Sequence, residues 1–198
     1  MTGYWRLALR DGWRPTAELE RFLEAGPPPV YLGLGSGGEA ARATWIDCAR
    51  AALEETGLRG VLDLGSGGVA PGSLPKTMLA VRDIPHDWLF PRVAAVVHHG
   101  GAGTTGAGLR AGKPTVVIPT ASDQPFWGRR VHALGAGPRP IRLRRLTPRT
   151  LAQAISIATS DKAMMASAED LGERIRSEDG VGVAVDRIAR MLENPPAT

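Results

Sequence analysis

The sequence predicts an α/β fold in which helices cover a doubly wound, Rossmann-like parallel sheet of six strands. Short apolar runs alternate with helical patterns almost from end to end of the 198 residues, as expected of a parallel sheet. Several runs lack polar alternation, which is typical of strands buried on both faces. A content of 43% hydrophobic and 22% charged residues fits a globular chain.

Six apolar segments are predicted strands, and sheets of this kind usually have the order 3-2-1-4-5-6 with right-handed crossovers. The segments are VYLGLG (30–35), GVLDLG (60–65), MLAVR (78–82), AAVVHH (94–99), TVVIP (115–119) and PIRL (140–143). This order places the first and fourth strands side by side. The loops that leave them turn to opposite faces, so we expect a ligand crevice between residues 35–38 and 99–105.

Helical patterns fill the gaps between the predicted strands. Their expected ranges are 39–56, 104–111, 124–134, 148–160, 162–176 and 181–193. The first three are expected to end at Gly57, Gly112 and Gly135, because glycine accommodates the left-handed conformation that often ends a helix. Thr147 followed by Pro148 predicts the N-cap and first turn of the fourth.

Residues 1–29 are predicted to be a linker-like segment with one short helix around Leu19, Phe22 and Leu23, and residues 30–198 are predicted to form the Rossmann-like domain. No apolar run approaches the roughly 20 residues that a membrane span needs. The N-terminus also lacks a signal-peptide core. We therefore expect no integral membrane segment and a cytoplasmic location.

The formal charge of +4 comes almost wholly from arginine. The arginines are scattered apart from Arg142, Arg144 and Arg145, and no aromatic residues are interleaved with them, so nucleic-acid binding is not expected. The single cysteine, Cys48, excludes an internal disulfide and a cysteine-rich zinc site, and its helical pattern predicts a buried thiol. Acids and histidines show no metal-binding spacing, so neither a metal nor another cofactor is expected.

The loop after the fourth strand, HGGAGTT (99–105), has the composition of a phosphate-binding turn. Its glycines remove side chains where a strand turns into a helix, so a ligand can approach the backbone amides. These glycines are Gly100, Gly101 and Gly103. Thr104 or Thr105 is expected to cap the helix and to offer a hydroxyl, and Ser36 is expected to offer another from the opposite loop.

His98 and His99 end the fourth strand, and their side chains are expected to point to opposite faces. We expect His99, which adjoins the glycines, to donate to phosphate and His98 to pack or to cap. Asp123 and Gln124 follow the fifth strand on the same rim. A carboxylate repels phosphate, but a carboxylate beside an amide suits the hydroxyls of a sugar. The alternative for Asp123 is a helix N-cap, and both roles can hold at once.

A rival motif follows the first strand. Gly33, Gly35 and Gly38 satisfy the pattern G-x-G-x-x-G, and Asp63 ends the second predicted strand, as in NAD-binding domains. Asp63 lies 25 residues after Gly38, whereas the fingerprint expects about 20. An NAD-binding oxidoreductase domain explains neither the second glycine-rich loop nor the acid and amide after the fifth strand. It is one alternative, and a catalytically silent nucleotide-binding module is the other.

The run from Val97 to Pro125 resembles the donor-binding signature of the UDP-glycosyltransferase family. The likeness is carried by HGGAGTT (99–105), RAGKP (110–114) and DQPFWGRRV (123–131). The longer run IPHDWLFPRVAAVVHHGGAGTT (84–105) is especially similar to sterol and bacterial natural-product glucosyltransferases. The resemblance covers nearly the whole chain but only the family's C-terminal half. It implies one half of a GT-B fold, the half that binds the nucleotide sugar.

The resemblance also implies roles for particular residues. Asp123 and Gln124 would contact the hexose of a UDP-sugar, which is the donor substrate and not a cofactor. The residues expected to hold its pyrophosphate are Ser36, His99, Gly101, Gly103, Thr104 and Thr105. The acid that grips the ribose in many plant members falls on Ala107, and the tryptophan that stacks on uracil falls near Val81. The base is therefore expected around Arg82 and Ile84.

Family members transfer sugars with inversion and without a metal ion, so the resemblance implies a hexosyltransferase. Their catalytic base, a histidine, lies on the N-terminal acceptor-binding domain. No histidine of this chain has a matching context, so no catalytic residue is expected here. The implied partner is an acceptor-binding domain, encoded in the same gene or as a separate chain, without which the chain is expected to be inactive.

Overall fold

A single parallel sheet of five strands lies in the part of the chain that the computed structural model describes, residues 2–5, 12–33, 39–65 and 74–193. The strands are β1 (Val30–Gly33), β2 (Gly60–Asp63), β3 (Met78–Val81), β4 (Ala95–His98) and β5 (Thr115–Val117). Their order, β3-β2-β1-β4-β5, confirms the order predicted for the first five segments. Gly33 of β1 lies opposite Asp63 on one side and His98 on the other.

The predicted sixth strand at residues 140–143 is wrong. The stretch 136–141, which leads into this segment, runs beside β5. The Thr115 amide donates to the Ala136 carbonyl and the Ile141 amide donates to the Val117 carbonyl, both at 2.9 Å. Pro138 and Pro140 stand between these two bonds, and proline has no amide hydrogen to give. The ladder therefore cannot continue.

Helices cover both faces of the sheet, and most lie where the sequence predicts them. They are α1 (Ala17–Glu24), α2 (Glu39–Thr56), α3 (His86–Leu89), α4 (Ala102–Arg110), α5 (Gln124–Ala133), α6 (Pro148–Ser160), α7 (Lys162–Arg176) and α8 (Gly180–Glu193). Short 3-10 turns occupy Phe90–Arg92 and Leu143–Arg145. Gly57, Gly112 and Gly135 have φ of 66°, 68° and 69°, which confirms the predicted helix ends.

One face of the sheet packs against α2 and α6, and the other packs against α1, α4 and the turn after α3. On the first face, Leu32 and Val97 lie in one cluster with Leu53 of α2. On the second, Tyr31 and Val96 pack with the fully buried Leu19 of α1. The helices after β1 and β4 thus lie on opposite faces, which opens a crevice between two adjacent strands.

The predicted cap of α6 is confirmed. The Thr147 hydroxyl accepts from the Thr150 amide at 3.2 Å, and the Thr150 hydroxyl accepts from the Thr147 amide at 2.9 Å. Cys48 is buried, as predicted. The boundary between residues 29 and 30 stays a prediction. None of the described helices is long and apolar enough to cross a membrane.

Candidate functional site

The candidate site lies at the carboxyl end of the sheet, where β1 adjoins β4. Ser36, Gly35 and Gly38 lie outside the described residues. The described part of the site consists of the β4–α4 turn, the start of α4 and the loop that joins β5 to α5.

The β4–α4 turn depends on Gly100. Its φ is 95°, a conformation that side chains rarely adopt, and a Cβ there would lie 2.7 Å from Cγ1 of the buried Val117. The Gly100 amide donates to Nδ1 of His98 at 2.9 Å. The buried side chain of His98 therefore holds the turn through this hydrogen bond.

Helix α4 begins at Ala102, two residues earlier than predicted. The Thr105 amide makes the first backbone bond of the helix, to the Gly101 carbonyl at 2.9 Å. The amides of Ala102, Gly103 and Thr104 precede it, so they have no acceptor within the helix. Three donors with no acceptor among the described residues, at the positive end of a helix dipole, suit an anion, and the absent side chain of Gly103 leaves them open.

The prediction that Thr104 or Thr105 caps α4 is wrong, because Gly101 occupies the N-cap position. The Thr105 hydroxyl donates to the Gly101 carbonyl at 2.9 Å, and the residue is only 1% exposed. Thr105 therefore stabilises the first turn from inside and presents no hydroxyl to a ligand. Thr104 is partly exposed and stays a candidate contact.

The structure confirms that His98 packs in the interior, and the contact of His99 with phosphate stays a prediction. His98 is completely buried, and burial, followed by the neighbouring His99 and His86, lowers its pKa to about 3. It is therefore neutral and acts as an acceptor for the turn. His99 is half-buried, and burial lowers its pKa as well.

The His99 ring lies over the start of α4. A Cβ on Gly101 would stand 2.6 Å from His99 Nε2, so the imidazole needs the bare backbone of this glycine. Nδ1 of His99 is buried and has no hydrogen-bond partner among the described residues. A half-buried imidazole beside free amides gives the site a further polar contact for an anion.

Gln124 organises the loop between β5 and α5. Its Oε1 accepts from the Thr120 amide at 2.7 Å, the Thr120 hydroxyl at 2.9 Å and the Ala121 amide at 3.0 Å. Ser122 in the same loop has φ of 52°, which is uncommon for a residue with a side chain. With its oxygen engaged, Gln124 has only its amide N–H groups to offer a ligand.

Asp123 stands at the N-cap position of α5, but its side chain makes no capping bond. The alternative role of a helix N-cap is therefore confirmed for its position, but not for a side-chain capping bond. Its Oδ2 instead accepts from Nε1 of Trp127 at 2.6 Å, and Asp123 is exposed on the rim. Asp123 and Gln124 thus present an acceptor and a donor side by side, as two neighbouring hydroxyls require.

Asp63 does not have the free carboxylate that a ribose contact needs. One oxygen accepts from the Tyr31 hydroxyl and the other from the Gly65 amide, both at 2.9 Å. The Tyr31 hydroxyl also lies 3.3 Å from Nε2 of His86. Burial, together with the Asp63 charge, raises the pKa of Tyr31, so its phenol stays protonated and donates.

The residues predicted for the nucleotide base lie at the carboxyl end of β3. Arg82 is exposed and Ile84 is partly exposed, and the intervening Asp83 has φ of 52°. Three strand spacings, about 14 Å, separate β3 from β4. Val81 is 7% exposed, so it offers no platform to a base. The base contact stays a prediction.

Tyr4 is the residue that the sequence did not reveal. Its hydroxyl donates to the Ala102 carbonyl at 3.0 Å, and a Cβ on Gly106 would stand 2.5 Å from its ring. Together with Gly3 and Trp127 it lines a cavity of about 750 Å³ beside α4. The one available signal was Gly106, a glycine inside a helix, which often marks a close approach.

No group of three or more histidine, cysteine, aspartate or glutamate side chains that could hold a metal ion lies within the described ranges.

The family comparison decides the assignment. Residues 65–189 match the family described as "Erythromycin biosynthesis protein CIII-like, C-terminal domain". The chain belongs to this family of glycosyltransferase domains. This membership confirms the resemblance predicted from the sequence, and it gives no support to the alternative of an NAD-binding oxidoreductase.

Curated relatives support the same assignment for the C-terminal domain. A sterol 3-beta-glucosyltransferase of Arabidopsis thaliana is 45% identical over 193 residues, which are 97% of this chain and 30% of the relative. An O-mycaminosyltylonolide 6-deoxyallosyltransferase of Streptomyces fradiae is 42% identical over 182 residues, which are 91% of this chain and 42% of the relative. The domain thus spans less than half the length of these relatives.

The fold comparison agrees. The crystal structure of the glycosyltransferase of kitacinnamycin matches with a TM-score of 0.75 and 28% identity, over 95% of this chain and 47% of that one. This domain, with its five-stranded sheet, is therefore the C-terminal half of a GT-B fold. The sequence predicted this half correctly, apart from the number of strands.

Proposed function

We propose that this domain binds the nucleotide-sugar donor, of the UDP-glucose type, of an inverting glycosyltransferase, and that it does so without a metal ion. The observation that carries the proposal is the start of α4, where three amides without helical acceptors lie beside His99. These groups suit the two negative charges of a diphosphate. Family membership supports the donor class.

The hexose would lie beside the loop after β5. The amide N–H groups of Gln124 would donate to one sugar hydroxyl, and the exposed Asp123 carboxylate would accept from another. The base would lie towards Arg82 and Ile84, and Ser36 would approach the phosphates from the other loop. Arg82, His99 and Asp123 follow the carboxyl ends of β3, β4 and β5, which supports an extended nucleotide sugar along this edge of the sheet.

In the proposed reaction, an acceptor hydroxyl attacks the anomeric carbon, loses its proton to a base, and displaces the nucleoside diphosphate. This domain supplies the stabilisation of the leaving diphosphate. The base would come from an N-terminal acceptor-binding domain, in the same gene or on a separate chain. The domain alone is expected to bind the donor weakly and to transfer little or no sugar, because domain closure is what excludes water. A cytoplasmic location stays a prediction.

Replacing His99 with alanine tests the phosphate contact. A hydrogen bond to a charged group is worth about 1.5 to 3 kcal/mol, so UDP affinity should fall by about tenfold or more. Titration calorimetry in a buffer with a metal chelator measures this, and His132→Ala is the matched control because His132 is an exposed histidine in the last turn of α5, with its Nδ1 3.2 Å from the Gly137 carbonyl oxygen. Equal UDP affinity in His99→Ala and the wild type, or a requirement for magnesium, would contradict the proposal.

Replacing Gly103 with alanine tests the approach of the ligand to bare backbone. A Cβ there would meet only the Tyr4 hydroxyl at 3.8 Å, so the fold has room for it. Alanine favours a helix over glycine by up to about 1 kcal/mol, so the melting temperature should hold or rise. UDP affinity should still fall by about tenfold, because side chains in the first turn tilt towards the helix N-terminus where the diphosphate would lie. Unchanged affinity would show that the ligand keeps away from this amide.

Adding a purified acceptor domain distinguishes a donor domain from a catalytically silent nucleotide-binding module. Transfer from UDP-glucose to an acceptor alcohol should appear only when both proteins are present. Titration with NAD, under the same conditions as UDP, should show no binding. Persistent inactivity with a folded acceptor domain that binds its acceptor would favour the silent module.

A further inference from the structure

A second concave surface is lined by residues of α5, by the stretch that joins α5 to α6, and by Pro119 after β5. This groove has a volume of about 780 Å³. Pro119, Pro125 and Ile141 line it with apolar atoms. Its size is that of a site for a small organic ligand.

Four arginines line this groove: Arg129, Arg139, Arg142 and Arg145. All four side chains are exposed, and none of the four guanidinium groups forms a hydrogen bond or an ion pair with any residue of the described ranges. No carboxylate lines the groove. Like charges that converge without a partner repel one another, so the arrangement stabilises neither the loop nor the helix.

The charge is concentrated in one stretch of chain. Residues 119–150 contain seven arginines and one aspartate, Asp123, a net charge of +6, whereas the whole chain carries +4. The 3-10 turn Leu143–Arg145 also leaves Leu143 52% exposed between two arginines. A basic rim, an apolar floor and an exposed leucine together suit a ligand with an anionic head and an apolar body.

We propose that this groove is an anion-binding site, separate from the donor site, that takes a ligand with a phosphate group and an apolar portion. Arginine recognises phosphate because its planar guanidinium donates two parallel hydrogen bonds to it. Arg142 and Arg145, which flank Leu143 and Arg144 at the 3-10 turn, hold the phosphate together with Arg129 of α5 and Arg139 of the stretch that follows α5. The apolar part of the ligand covers Pro119 and Ile141. The proposal does not depend on what binds at α4.

The test uses dihexanoylphosphatidic acid as a water-soluble probe, titrated into the full 198-residue chain at physiological salt. Arg142→Glu/Arg145→Glu is expected to weaken binding by at least about tenfold, since it removes two guanidinium contacts. Arg130→Glu/Arg149→Glu is the matched control: it makes the same change of charge in the same stretch, at residues that do not line the groove. The control should retain binding within about threefold. Arg142→Gln/Arg145→Gln repeats the test with neutral side chains, and thermal melting verifies that each variant folds.

Two further arms identify the source of the phosphate. One arm is cosedimentation with phosphatidylcholine vesicles that contain phosphatidic acid. If only the groove variant, Arg142→Glu/Arg145→Glu, loses cosedimentation, the site binds a lipid headgroup. Binding of the soluble probe without cosedimentation assigns it to a free phosphorylated compound. Equal losses in the groove variant and the control, or no binding of any probe, would overturn the proposal. UDP affinity should be the same in both variants as in the wild type, so this outcome is independent of the donor site.

Discussion

Replacing Gly100 with alanine is expected to destabilise the fold by about 2 to 4 kcal/mol and to abolish measurable UDP binding. Two costs add here. The backbone has φ of 95°, which an L-residue resists, and the new Cβ would lie 2.7 Å from Cγ1 of Val117 and 3.2 Å from the Gln124 carbonyl oxygen. Val117 is 1% exposed and cannot retreat into solvent. The turn must therefore shift, and the start of α4 shifts with it.

Chemical denaturation and calorimetry with UDP measure the two effects of Gly100→Ala. Gly57→Ala is the matched control, since Gly57 also has positive φ, 66°, but a Cβ there would meet no atom within 4 Å. It should cost only about 1 kcal/mol and leave UDP binding unchanged. If Gly100→Ala were as mild as Gly57→Ala, the close packing of the turn would not hold the site.

The strand order was predictable because the signals for β1 to β5 are local. Each is a short apolar run without polar alternation, and the rule that orders such strands depends only on the handedness of crossovers. The place of the crevice followed from that order. Two adjacent strands whose helices lie on opposite faces leave a cleft whatever side chains line it.

The sixth strand failed for a reason that was present in the sequence. Pro138 and Pro140 lie two residues apart where this strand was predicted to begin. Two amides that a strand would use on the same side are therefore missing. The segment still runs beside β5, because Ile141 donates to Val117 where no proline intervenes. The apolar pattern thus predicted the position of the segment beside β5 correctly. The missing amide hydrogens of the prolines are the reason that it does not form a strand.

The start of α4 was misplaced because threonine is a stronger N-cap signal than glycine. Gly101 provides the N-cap, and the Thr105 hydroxyl turns inward to the Gly101 carbonyl. The earlier start matters for function, since it brings Gly103 into the first turn among the free amides. Local preference could not show this, because the packing of His99 over Gly101 and of Tyr4 over Gly106 depends on contacts that form only in the folded chain.

The role of Gln124 combines a structural and a binding function that the sequence could not separate. Its side-chain oxygen holds the loop through Thr120 and Ala121, and its amide N–H groups are left for the ligand. Glutamate preserves the oxygen but removes the N–H groups, whereas alanine removes both. The two substitutions therefore separate loop formation from sugar binding.

Gln124→Glu is expected to reduce the ratio of UDP-glucose to UDP affinity by about tenfold or more, because a donor to the hexose is lost. Its added charge near the diphosphate weakens both ligands and cancels in the ratio. The free energy of unfolding should stay within about 1 kcal/mol of the wild type, since the carboxylate still accepts from the loop. Gln124→Ala should reduce the affinity ratio by the same factor. It should also lower the free energy of unfolding by about 1 to 3 kcal/mol.

Gln153→Glu is the control for the change of charge, because Gln153 is exposed on α6 and lies far from the loop in the chain. It should alter neither the affinity ratio nor the stability. Calorimetry with both ligands gives the affinity ratio of each variant, and denaturant unfolding gives its free energy of unfolding. If Gln124→Glu kept the affinity ratio, the hexose would not depend on this amide. If Gln124→Ala were as stable as the wild type, the three bonds to its oxygen would not hold the loop, and the structural role would have to be reassigned.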